Sequence, residues 1–192
     1  MIGNGSFHPP IGVFTGKRAI TVQGYREANV KNGLEYEGSV LLTLAGNGVN
    51  DTIFLTGALP VSLKSRSVSY TGEGVKSEIF ELPTYTGGVS VAYQNANANA
   101  VPPIGAVPPA TGLSSIIVGA TVTNEGVLKF APIYGLGNVS NQGKGATNEA
   151  LGDERIFKTN TAYLLRQTSL DSASQSVSSF LTWYEGELDI TL

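Results

Sequence analysis

Apolar and polar residues alternate with a period of two in short runs along this chain, and glycine-bearing turns cut the runs. In the last run Tyr184, Leu188, Ile190 and Leu192 fall on one side, and Glu185, Glu187 and Asp189 on the other. A strand sends successive side chains to opposite faces, so this pattern predicts half-buried β-strands. No stretch carries a sustained helical period; at best one helical turn is expected near Asn148–Phe157.

The same reading places strands at Ala19–Val22, Leu34–Glu37, Ser39–Leu44, Thr52–Thr56, Val61–Tyr70 and Val75–Leu82. It continues with Ser115–Thr123, Val127–Ile133, Thr161–Ser169, Ser176–Tyr184 and Glu187–Leu192. Asn47-Gly48 is a strong turn dipeptide. Thr71-Gly72-Glu73-Gly74 and Asn124-Glu125-Gly126 read as hairpin turns. In Val75–Leu82, Val75, Ser77, Ile79 and Glu81 share one face and Lys76, Glu78, Phe80 and Leu82 the other. The expected fold class is all-β: an antiparallel β-sandwich, jelly-roll-like, with long Pro/Gly-rich loops and an extended N-terminal arm.

Residues 1–16, with Gly3, Gly5, Pro9, Pro10, Gly12 and Gly16, form the expected arm, and 17–192 the single sandwich domain. Two long interruptions divide the domain. Residues 95–112 read NANANAVPPIGAVPPATG and residues 135–152 read GLGNVSNQGKGATNEALG. Neither holds enough apolar surface to fold alone, and loops of such length usually serve binding or stay disordered. The tetrapeptide Pro-Pro-Ile-Gly occurs in both the arm (Pro9–Gly12) and the first loop (Pro102–Gly105). The repeat reads most simply as coincidence between two Pro/Gly-rich segments, and alternatively as docking of both into equivalent grooves on neighbours. The expected inter-subunit contacts are Phe7, Pro9, Pro10 and Ile11 from the arm, and Pro102, Pro103, Ile104, Pro108 and Pro109 from the loop.

Composition narrows function by exclusion. The net charge is −3, and Lys and Arg are scattered singly, so no basic stripe exists to track a phosphate backbone. With no Cys, disulfides and thiolate metal sites are excluded. No apolar run reaches the ~20 residues that span a bilayer. The opening MIGNGSFHPP lacks a basic n-region and an apolar h-region, so no secretory leader is expected. Asn50-Asp51-Thr52 and Asn138-Val139-Ser140 then read as chance glycosylation matches.

Catalytic constellations fare poorly. His8, the sole histidine, sits beside Pro9 in the arm, where a general base cannot be held in place. Glu35 with Glu37, and Glu185 with Glu187 and Asp189, are spaced for paired-carboxylate chemistry, but strand-face acids read more simply as a solvated face. Asn50-Asp51 and Asp153-Glu154 are the best loop acids for Ca²⁺, without an EF-hand pattern. GNVSNQGKG (137–145) fails as a phosphate loop: five residues separate Gly137 and Gly143, and Lys144 precedes Gly145. No cofactor, metal or catalytic residue is expected. Tyr70, Phe80, Tyr85, Tyr93, Tyr163, Phe180, Trp183 and Tyr184 read as core filling, or alternatively as an interface or sugar platform. Trp183 and Tyr184 point to opposite faces, so both faces of that strand are expected to be covered.

Three segments carry a resemblance: LTGALPVSLKSRSVSYTGEGV (55–75), PTYTGG (83–88) and TAYLLRQTSLDSASQSVSSFLTWYEGELDI (161–190). They resemble the small β-rich virion structural proteins of tailed bacteriophages, over most of the chain from Thr15 on. The resemblance implies a capsid decoration or cement protein of jelly-roll-like build, assembled as a homotrimer on the major capsid protein or other virion proteins. It implies a virion location after assembly in the host cytoplasm, and no catalytic residues. A tail- or fibre-associated carbohydrate- or receptor-binding module is the alternative, resting on the aromatic-rich strands and the 135–152 loop.

Overall fold

The computed structural model describes residues 29–98, 113–137, 145–148 (backbone only) and 154–186. After one helical turn at residues 29–31 the described residues hold only strands and the turns and irregular segments between them. The strands are β1 (Glu35–Leu44), β2 (Val49–Leu55), β3 (Val61–Tyr70), β4 (Gly74–Glu81), β5 (Thr84–Thr86), β6 (Val89–Val91) and β7 (Gln94–Asn95). They continue with β8 (Ser115–Val118), β9 (Thr121–Asn124), β10 (Val127–Leu128), β11 (Ile133–Leu136), β12 (Gly145–Asn148), β13 (Arg155–Phe157), β14 (Ala162–Ser169) and β15 (Gln175–Glu185).

Two antiparallel sheets make the sandwich. One has the order β12-β3-β15-β1-β7, with β13 also on β3; the other has β10-β4-β14-β2-β8-β6, with β11 also on β4. The pair β5-β9 lies outside the second sheet, where Tyr85, Ala120 and Val122 cover Ile53, Phe80 and Leu164. The expected all-β antiparallel sandwich is what the chain forms.

The turns behave differently from expectation. The predicted hairpin between Val61–Tyr70 and Val75–Leu82 is absent: β3 pairs with β15, while β4 pairs with β14 in the opposite sheet. The chain crosses between sheets at Thr71–Glu73, and likewise between β1 and β2 and between β14 and β15. These three arches stack in the order set by the sheets, with the 170–174 arch between the other two. Asn47 N–H donates to the Asp171 carbonyl (2.7 Å), Ser169 N–H to that of Gly48 (2.8 Å), and Leu170 N–H to that of Gly74 (3.0 Å). Side chains complete the stack. Asp171 accepts from Glu73 N–H (3.0 Å), and Gln175 accepts from Gly72 N–H (3.1 Å). A Cβ at Gly72 would lie 2.3 Å from Asp171 Oδ2 and 2.7 Å from Gln175 Oε1, so a larger residue there would displace the two side chains that complete the stack.

Other expectations shift too. The Asn124-Glu125-Gly126 hairpin does not form, because β9 pairs with β5 and β10 with β4. The helical turn expected near 148–157 is replaced, in its described part, by strand β13. Part of the 135–152 interruption is strand, in β11 and β12, and the 95–112 interruption begins inside β7. The arm 1–16, Ala19–Val22, residues 99–112 and Glu187–Leu192 lie outside the described residues.

The core is aromatic. Trp183, fully buried, meets Tyr93 at 4.9 Å, Phe54 at 5.3 Å and Tyr36 at 5.9 Å between ring centroids. Phe54 passes the contact on to Phe157 (5.8 Å), which stacks on Tyr163 (4.1 Å). Tyr184, one residue on, is also buried, so both faces of β15 are covered at that end. The strand alternates buried and more open residues as far as Phe180 and is buried throughout from Leu181 on; beside it β3 bulges at Lys64, between the partners of Thr182 and Trp183.

Candidate functional site

None of the expected contact residues Phe7, Pro9, Pro10, Ile11, Pro102, Pro103, Ile104, Pro108 and Pro109 falls among the described residues, and neither does His8. What the structure does place is the pair of roots from which the proline-rich segment springs. Both are fastened to the end of the sandwich remote from the three arches.

The incoming root is built on β7. Asn95 Nδ2 donates to the Gly33 carbonyl (2.7 Å), Ala96 N–H to that of Glu35 (2.8 Å), and Asn97 Nδ2 to that of Lys31 (3.0 Å). The outgoing root hangs on one carboxylate. Glu185 Oε2 accepts from Leu113 N–H (2.5 Å), and Oε1 from Ser114 N–H (3.2 Å) and from Trp183 Nε1–H (2.8 Å). Tyr93, between β6 and β7, donates its hydroxyl to the Ser114 carbonyl (2.7 Å). Glu185 therefore contradicts the expectation of a solvated acidic face. It is 2% exposed, because it lies on the same side of β15 as Val177, Leu181 and Trp183, the side that faces the core along the whole strand. Glu35 is buried as well. Glu187 and Asp189 are outside the described residues.

This polar hub shapes its neighbours. Burial first, then the Glu185 carboxylate, then Tyr36 push the Tyr93 phenol well above its ordinary range. Tyr36 is raised by burial and by Glu185, against the lowering effect of its hydrogen bond with Asn95. Neutral phenols around a buried, triply bonded carboxylate make a rigid anchor.

Of the loop acids considered for Ca²⁺, Asp153 lies outside the described residues, and Asp51 and Glu154 are held by cations. Asp51 takes a two-pronged bond from Arg166 (Nε and Nη2, each 2.8 Å), which also bonds Glu125. Glu154 pairs with Lys64 and accepts from Ser62. Glu81 bonds Lys158 (2.6 Å) and Lys129 (2.8 Å), and Glu78 bonds Lys76 (2.7 Å). Among the described residues no group of three His, Cys, Asp or Glu side chains gathers to hold a metal.

The outer face of the first sheet is of a different kind. Its registered rows read Glu37–Thr182–Ser65, Ser39–Phe180–Ser67 and Leu41–Ser178–Ser69. Hydroxyls dominate, Glu37 carries the single charge in these rows, and Leu41 and Phe180 stand out at 76% and 38% exposure. Over Gly38 the face dips into a shallow depression of about 170 Å³, lined by Glu37, Gly38, Ser39, Ala92, Tyr93, Gln94 and Phe180. Most of the aromatics expected to fill the core do so; Phe180 does not. Sequence patterning carried that signal, since Phe180 alternates out of phase with Val177, Leu181 and Trp183's side of β15.

No family model matches the chain, and no curated protein does. Among solved structures, a chain in the structure of infectious bursal disease virus Gx strain is 10% identical, over 96% of this chain and 51% of that one, with a TM-score of 0.15. This chain thus spans about half the length of that one. A likeness at that level carries no argument.

Proposed function

We propose that this chain is a non-catalytic structural protein of a bacteriophage virion, which decorates or cements the capsid through lattice and inter-subunit contacts. The observation that carries the reading is the double anchoring of the proline-rich segment. Its two roots sit on one rigid end of the sandwich, held by Asn95 and Asn97 on one side and by Glu185 on the other. A segment too poor in apolar surface to fold alone, yet fixed at both ends, is suited to be laid against a neighbour, since anchoring lowers the ordering cost of docking. The jelly-roll likeness belongs to the same reading, supported by connections that cross from sheet to sheet. So do the homotrimer and the major capsid protein as partner.

The test replaces residues 99–111 by a Gly/Ser linker of equal length, leaving Asn97 and Leu113 in place. The expected result is a cooperative unfolding transition like that of the parent, with occupancy on purified particles lost. Unchanged occupancy would sink the reading. Light scattering across a concentration series is expected to give a trimer mass.

A further inference from the structure

We propose that the depression over Gly38, on the outer face of the first sheet, binds one neutral pyranose ring of a glycan. The inference stands apart from the capsid reading and needs no particle for its test.

A pyranose presents an apolar face of C–H bonds and a rim of hydroxyls, each able to donate and accept. A site for it needs an exposed aromatic ring beside side chains that offer both kinds of hydrogen bond. One exposed Phe is ordinary on a protein surface. What singles out Phe180 is its surroundings. Ser39 and Ser67 flank it across both neighbouring strands, so small side chains leave its ring open from either side. Glu37 and Gln94 face each other in the β1–β7 register at the rim of the same depression.

The second observation is that both polar groups are uncommitted. The acids Asp51, Glu78, Glu81, Glu125, Glu154, Asp171 and Glu185 are all engaged by cations or by N–H donors. Among the described residues neither the Glu37 carboxylate nor the Gln94 amide has a partner. A carboxylate accepts charge-assisted bonds from sugar hydroxyls, and an amide both donates and accepts. The volume agrees. About 170 Å³ is below the ~300–1,000 Å³ that encloses a drug-sized ligand, so the site seats one ring.

The sheet edge explains why the dip exists: β7 pairs only with Tyr36 and Glu37 at the start of β1, so among the described residues the edge of β1 beyond them has no strand beside it. A protein partner fits this face less well. A standard interface buries ~800 Å² per side around an apolar centre poor in Ser, and this face offers Leu41 and Phe180 among hydroxyls.

Saturation-transfer NMR on the full chain tests the proposal, with methyl pyranosides of gluco, galacto and manno configuration and methyl N-acetylglucosaminide as probes. At least one is expected to receive saturation at its ring C–H protons, with Kd in the millimolar range, about 1–10 mM. Phe180→Ala and Glu37→Gln are each expected to weaken that binding about tenfold or more, while Leu41→Ala, outside the depression, changes it less than about twofold. Linear tetrasaccharides of the same ring then separate the sources. Clearly tighter binding marks a polymeric glycan and equal binding a free sugar, and the proposal holds in both. No transfer to any probe at about 20 mM overturns it, and so does transfer undiminished in both Phe180→Ala and Glu37→Gln.

Discussion

Gln175 donates from Nε2 to the Gly74 carbonyl at 2.8 Å, joining two arches whose residues are 101 apart in the chain. The same amide donates to Ser169 Oγ (2.6 Å), and its oxygen accepts from Gly72 N–H. One buried side chain thus satisfies backbone groups that a sheet crossing leaves without ladder partners. Gln175→Ala leaves Gly72 N–H without its acceptor, while the Gly74 carbonyl keeps Leu170 N–H, and is expected to cost about 1–3 kcal/mol, the range for one polar group left unpaired. Urea unfolding measures it; a loss under about 1 kcal/mol would mean that water replaces the amide freely.

Glu185 carries the outgoing root of the proline-rich segment. Glu185→Ala leaves Leu113 N–H, Ser114 N–H and Trp183 Nε1–H without their acceptor and is expected to destabilise by about 3–5 kcal/mol. Glu185→Gln keeps one oxygen and is expected to cost less. Trp183, the sole tryptophan, reports the change directly: its buried emission is expected to shift to the red in Glu185→Ala and to stay close to that of the parent in Glu185→Gln. Equal stability of the two variants would contradict the role given to the carboxylate.

Arg166 and Asp51 form a two-pronged pair on the outside of the second sheet, each side chain 14% exposed. Partial burial and fork geometry set it apart from the ordinary surface ion pair. A double-mutant cycle with Asp51→Ala and Arg166→Ala is expected to give a coupling of about 1–2 kcal/mol. Glu125, a more exposed partner of Arg166, is expected to couple by less than about half as much. A coupling near zero for Asp51 removes the pair from the stabilising set.

Stability is expected to fall at both ends of the pH range. Burial raises the phenols of Tyr36, Tyr70, Tyr93 and Tyr163 above the ordinary value of 10.0. The folded state then holds these protons more tightly than the unfolded one, so stability present below pH 10.0 is lost as pH climbs toward the folded values. Glu81 runs the other way. Lys129 and Lys158 lower it from 4.5, so its contribution is present above that value and is lost as pH falls through the folded one. Thermal melts should be flat between about pH 5 and 9. Tyr93→Phe is expected to soften the alkaline limb and Glu81→Gln the acid limb; unchanged limbs count against these assignments.

Strand positions were legible locally, because alternation and turn residues are properties of a few neighbours. Val61–Tyr70 is read from the sequence with the bounds the fold gives it, and the two faces of β4 are read correctly. Alternation also foretold that Trp183 and Tyr184 would point apart. The short strands β5 and β6 escaped notice, as three residues are too few to show a period.

What the sequence by itself determined is therefore an all-β chain with no thiols. Tertiary structure alone decided whether Thr71–Glu73 turns back within a sheet or crosses to the other one. A glycine-bearing turn permits both, and the choice rests on donors and acceptors from Asp171 and Gln175, about a hundred residues away. It likewise decided that Glu185 is buried while Glu37 is half-open. Both are glutamates on alternating strands, but Glu185 shares the core-facing side of β15 with Trp183 and meets Leu113 and Ser114 there, whereas Glu37 lies on the side of β1 opposite Tyr36 and Val40.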